Sequence, residues 1–139
     1  MDRYLGLDYG KKRIGVALSD PLGMFASGLT TIEGRSEKDR LAQVVALIDT
    51  HQVRVVVLGL PRKTTGELGD LAETIQVFGQ KLTEQTDVSV LYEDERYTSK
   101  IAEQALREAG KQPSRQKGLI DQTAAALILQ QVLDKKAMS

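Results

Sequence analysis

The chain has 139 residues, with 19 Lys and Arg balanced by 19 Asp and Glu, one His and no Cys. That length suits one ordinary domain with its own core, and the absence of thiols excludes disulfides, thiolate zinc sites and a cysteine nucleophile. Zero net charge excludes a strongly basic, nonspecific nucleic-acid binder, so any nucleic-acid site must be a local patch. No run reaches the length of a membrane span and the N-terminus shows no apolar signal segment, so a cytoplasmic protein is expected. The lone His51 follows a helical segment just before a strand and reads as a solvated loop histidine.

Arg3–Asp8, Arg13–Ser19 and Met24–Ile32 read as three strands joined by short Gly- and Pro-containing turns. Ser36 then opens a helix in which Leu41, Val44, Val45 and Ile48 share one face. Val53–Leu60 is a nearly continuous β-branched run, as expected of a strand buried on both faces of a parallel sheet. A second helix places Leu71, Ile75, Phe78 and Leu82 inward, and Val88–Tyr92 forms a short fifth strand. Thr98 or Ser99 caps a third helix ending at Gly110, and a last helix runs from about Gln116 to Leu133. A meander followed by alternating helix and strand predicts an α/β fold: one domain over residues 1–139, with a five-stranded mixed sheet covered by helices on both faces. Right-handed crossovers would set the carboxyl ends of the first and fourth strands side by side, and a ligand should bind in that crevice.

Three acids stand out. Asp8 ends the first strand, where a buried charge is costly unless a partner such as a divalent cation offsets it, although Asp and Gly are also what a hairpin connection selects. Glu93-Asp94-Glu95 closes the fifth strand; one of these acids could favour the following helix N-terminus and Arg96 could neutralise another, yet neither accounts for all three. Asp121 shares a helix face with Ala124, Ala125, Ile128 and Val132, and the two alanines would let that helix approach the sheet closely. Helping the helix dipole is the alternative role for Asp121. Asp8, Glu95 and Asp121 come from separate segments that this fold brings to one end of the sheet, a set able to hold two hard cations for phosphodiester chemistry.

Basic loops adjoin these acids: Lys11, Lys12 and Arg13; Arg62 and Lys63; Arg96; and Arg115 with Lys117. Each alone would pass for a solvated turn, but beside the acids they could hold flanking phosphates. The Gly59–Gly66 segment joins the most buried strand to a helix and lacks the Gly-Lys-Ser/Thr ending of a nucleotide phosphate loop.

Taken together, Gly6-Leu-Asp8-Tyr-Gly10 through Arg13-Ile-Gly-Val-Ala17, Gly59-Leu-Pro61 with Gly66, Asp94-Glu-Arg96 with Thr98, and Asp121-Gln-Thr-Ala-Ala125 resemble the YqgF/RuvX family over essentially the whole chain. That resemblance implies an RNase H-like fold and a nuclease that matures the 5′ end of pre-16S rRNA, or else a Holliday junction resolvase acting on DNA. It also implies catalytic and metal-holding acids at Asp8, Glu95 and Asp121, a supporting role for Asp94 or Arg96, and Mg2+ or Mn2+ as cofactor. One departure is visible: many RNase H-like proteins carry an acid at the end of strand four, where this chain has Gly59-Leu60-Pro61. The rival readings are a noncatalytic nucleic-acid or ribosome-binding protein and, more distantly, a phosphotransferase related to actin and hexokinase. With two Phe and four Tyr and no spare apolar stripe, a monomer or weak dimer is expected. Such a protein would trim structured precursor rRNA, with ribosomal particles as partners, rather than branched DNA, whose symmetric cutting needs a two-fold dimer.

Overall fold

The computed structural model describes residues 2–61, 70–94, 98–110 and 117–138. Arg62, Lys63, Glu95, Arg96 and Arg115 of the expected site lie outside the described residues, as does the side chain of Lys117.

Five strands, β1 (Arg3–Tyr9), β2 (Arg13–Ser19), β3 (Ala26–Glu33), β4 (Val53–Leu60) and β5 (Ser89–Asp94), form one sheet in the order β3-β2-β1-β4-β5. β1 pairs antiparallel with β2 and parallel with β4, and β4 pairs parallel with β5, so the sheet is mixed. The carboxyl ends of β1, β4 and β5 therefore share one edge, the crevice that the crossover rule anticipates. Among the described residues four helices, α1 (Glu37–His51), α2 (Asp70–Gln85), α3 (Thr98–Glu108) and α4 (Lys117–Ala137), accompany the sheet. Among the described residues no helix is long and apolar enough to cross a membrane.

Local chemistry explains most element ends. The Ser36 hydroxyl accepts the Asp39 N–H at 3.1 Å and starts α1. Gln52, at a left-handed φ of 54°, returns its N–H to the Asp49 carbonyl and stops α1 just before β4. His51 is accordingly the last helical residue and not a loop histidine. β3 begins at Ala26, two residues later than expected, because the Asp20 carboxylate accepts the Met24 and Phe25 N–H groups at 2.7 and 3.1 Å and folds them into the turn. β5 runs on to Asp94 because its ladder continues through Gly59 opposite Glu93 and Leu60 opposite Asp94.

The strands' period of two divides the core between the two faces. On one face Leu5, Leu7, Ile14, Val16 and Leu58 pack with Leu41, Val44 and Ile48 of α1 and Ile75, Phe78 and Leu82 of α2. On the other, Tyr4, Ala17 and Val57 pack beneath Ala125, Ile128, Leu129 and Leu133 of α4. The inward stripe of α4 thus includes Leu129 and Leu133, while Val132 sits at its margin. The surface also departs from expectation, since Leu22, Met24 and Phe25 at the β2–β3 turn are 61%, 55% and 64% exposed.

Candidate active site

Along β1, Leu5, Leu7 and Tyr9 join the α1/α2 core while Tyr4 joins the α4 cluster, so alternation turns Asp8 toward α4. Asp8 lies opposite Gly15 of β2 in the ladder, one residue before the end of its strand. Gly15 is where α4 touches the sheet: a Cβ there would run into the backbone carbonyl and the Cβ of Asp121. At Gly6 a Cβ would stand 2.7 Å from the Leu129 Cβ and 2.9 Å from the Ala125 carbonyl oxygen. Only glycine permits this approach, and through it Asp121 is carried onto the strand pair that bears Asp8.

There Asp121 meets Arg13, whose Nε donates to Oδ2 at 2.8 Å, with the two side chains 32% and 21% exposed. The hydrogen bond to the carboxylate, reinforced by its charge, raises the Arg13 pKa above its ordinary value. Arg13, expected to contact phosphate, is thus first of all the partner of an acid.

The neighbouring acids of β5 divide by alternation. Lys135 of α4 donates to Glu93 at 2.6 Å, whereas Tyr92 donates to the Gln76 carbonyl of α2 at 3.4 Å. Asp94 shares the Tyr92 parity and lies in register with Leu60 of the α1/α2 core, so alternation sets it on that face of the sheet and Asp8 on the other. Among the described residues no three His, Cys, Asp or Glu side chains gather closely enough to hold a metal. The described part of the site is a pair of carboxylates on one face.

A second group, which the sequence reading passed over, supports the β1–β2 turn. Arg40, 5% exposed, donates to the Gly10 carbonyl at 2.5 Å and to the Tyr9 hydroxyl at 3.0 Å, and its guanidinium lies 4.9 Å from the centre of the Tyr9 ring. Tyr9 in turn donates to Glu37 at 2.8 Å. Burial above all, and then the Glu37 hydrogen bond, raise the Tyr9 pKa, with Arg40 opposing. The turn that follows Asp8 is closed by the Gly10 N–H to the Arg13 carbonyl at 2.8 Å and exposes Lys11 and Lys12. Arg40 could have been found in the sequence, because it stands four residues before Val44 on the apolar stripe of α1.

Beside the acids, an open groove of about 840 Å³ is lined by Lys12, Arg13, Glu33, Gly34, Arg35 and Asp39. Arg13 faces both this groove and Asp121.

Comparison with known proteins gives the family and the fold. A family model described as RuvX, Holliday junction resolvase, matches residues 2–135. A protein of Trichormus variabilis is 48% identical over 130 residues, covering 94% of this chain and 86% of its own. One from Clostridium beijerinckii is 39% identical over 132 residues, covering 95% and 96%. Both carry the name "Putative pre-16S rRNA nuclease". Among solved structures, Thermus thermophilus RuvC in complex with a Holliday junction substrate superposes with a TM-score of 0.64 at 16% identity, covering 100% of this chain and 98% of that one. A fowlpox virus resolvase bound to junction DNA gives 0.59 at 12% identity, covering 96% and 98%. At these identities the likeness is one of fold, and the fold is RNase H-like.

Proposed function

We propose that this chain, which belongs to the RuvX family, is a divalent-metal-dependent endonuclease that hydrolyses phosphodiesters in precursor 16S rRNA. The observation that carries the reading is the Asp8–Gly15–Asp121 contact, which sets two carboxylates from opposite ends of the chain on one face at the carboxyl edge of the sheet. The family resemblance adds Glu95 as the third acid. Asp94 on the α2 side supports that choice, because it is turned away from the other two.

The donor set fits a hard cation: Asp8 and Asp121 offer oxygen only, and the guanidinium on Asp121 stands where positive charge is wanted. Mg2+ or Mn2+, held by Asp8, Glu95 and Asp121, would supply charge for the attacking water and the leaving oxygen. The chain's own residues do the rest. Arg40 and Tyr9 fix the turn behind Asp8, and Gly15 fixes the approach of α4. Lys11, Lys12 and Arg13, with Lys117 at the start of α4 and Arg62, Lys63, Arg96 and Arg115 from segments outside the described residues, offer cations to the substrate backbone. The substrate class comes from the names of the relatives; the description of the family favours a second reading, cleavage of four-way junction DNA by a two-fold dimer.

The test is a cleavage assay on precursor rRNA and on junction DNA, with Mg2+, Mn2+ or EDTA, run beside light scattering. A metal-dependent cut in the RNA, reduced at least about a hundredfold in a folded Asp8→Asn variant, is the expected result. Cleavage that survives EDTA or that substitution would remove Asp8 from the site, and symmetric nicking of junctions by a stable dimer would establish the second reading.

A further inference from the structure

Two expected roles collide at one contact. Arg13 belongs to the basic turn that should hold phosphate, and Asp121 belongs to the acids that should hold a metal, yet they are bonded to each other at 2.8 Å. We propose that Arg13 is an exchangeable counter-ion: it neutralises Asp121 while the metal is away and passes to a substrate phosphate in the adjoining groove when the metal takes Asp121. The proposal rests on the nuclease reading above and extends it to how the two ligands are coupled.

Three features favour exchange over a fixed bridge. The contact is a single Nε–Oδ2 hydrogen bond rather than a two-pronged fork, and both groups are partly exposed. A surface pair of that kind holds its geometry with about a fivefold preference at most, which a divalent cation can overcome. A divalent ion on the same carboxylate would sit beside the guanidinium, and like charges so close repel. Finally, Arg13 already lines the groove with Lys12 and Arg35, so a short swing takes it from the acid to a place where two other cations favour an anion. Glu33 and Asp39, in that same groove, limit how strongly it attracts anions without substrate and metal together.

Exchange makes a prediction opposite in sign to that of a structural bridge. Calorimetric titration with Mn2+ alone should show Arg13→Gln binding the ion about two- to fivefold more tightly than the natural chain, because a competitor has gone. A bridge that orients Asp121 would make the variant bind equally or more weakly, and that outcome overturns the proposal. The second measurement is anisotropy of a labelled phosphorothioate oligonucleotide. Without Mn2+, Arg13→Gln and the natural chain should bind it alike, since Arg13 is occupied. With Mn2+, the variant should bind more weakly and show a salt slope shallower by about 0.7 to 0.9, the loss of one phosphate contact. Equal weakening with and without Mn2+ would mean that Arg13 contacts phosphate independently of Asp121, and exchange would be wrong. Asp121→Asn serves to separate the failures: if it binds Mn2+ as the natural chain does, the metal assignment itself falls and exchange falls with it.

Discussion

The two faces of the sheet are built to different ends. Toward α1 and α2 the strands present Leu5, Leu7, Ile14, Val16 and Leu58, and the helices answer with Ile75, Phe78 and Leu82, all fully buried. Toward α4, β1 and β2 present Gly6, Gly15 and Ala17, and α4 answers with Ala124 and Ala125. Bulk on the first face buries apolar area and supports stability. Smallness on the second gives up some of that area so that a helix backbone can lie on the strands and bring an acid with it. Position of charge, not burial, is what the thin face provides.

The sharpest way to separate the faces is to cut the thick one where it is far from the acids. Leu82→Ala, in the last turns of α2, should cost about 3–4 kcal/mol in urea unfolding, by lost transfer energy and a cavity. The folded fraction should keep its cleavage rate per molecule; a large loss of rate would mean that the α2 face shapes the site as well. Adding one methyl to the thin face should do the reverse. Gly15→Ala should cost about 2–3 kcal/mol, at the upper end of overpacking, because the obstacle is backbone. Here Mn2+ binding and cleavage should fall in molecules that remain folded, since α4 must retreat with Asp121. A folded Gly15→Ala protein with undiminished metal affinity would show that the close approach is not needed.

The smallest expected effect lies between the faces, at Tyr9, whose ring packs 5.1 Å from Phe78 on the thick side while its hydroxyl meets Arg40 and Glu37 behind the Asp8 turn. Tyr9→Phe should cost about 1–2 kcal/mol by leaving the buried Arg40 with one partner fewer. Its pH dependence gives a second check. The Tyr9 pKa is raised on folding, so its contribution is complete below the ordinary tyrosine value near 10 and is lost as pH rises through the higher folded value. Alkaline unfolding curves should therefore fall less steeply for Tyr9→Phe than for the natural chain, and parallel curves would contradict the raised pKa.

The sequence by itself determined the strand and helix order, the mixed sheet and the identity of Asp8 and Asp121 as acids in unusual company. These were legible because alternation, helical spacing, capping residues and turn chemistry act between near neighbours, as Ser36 with Asp39 shows. Element ends were less legible where a side chain reached across a turn, as Asp20 does to Met24 and Phe25. Only the tertiary structure decided that Asp94 faces α2, that Arg40 holds the turn behind Asp8, and that Arg13 is bonded to an acid 108 residues away. Both partners of that bond carry the charge a sequence reading assigns them, but which charges meet is set by how closely one helix lies on two strands. That distance depends on Gly6 and Gly15 meeting the backbone and Leu129 of α4, a fit between surfaces that no local pattern of residues encodes.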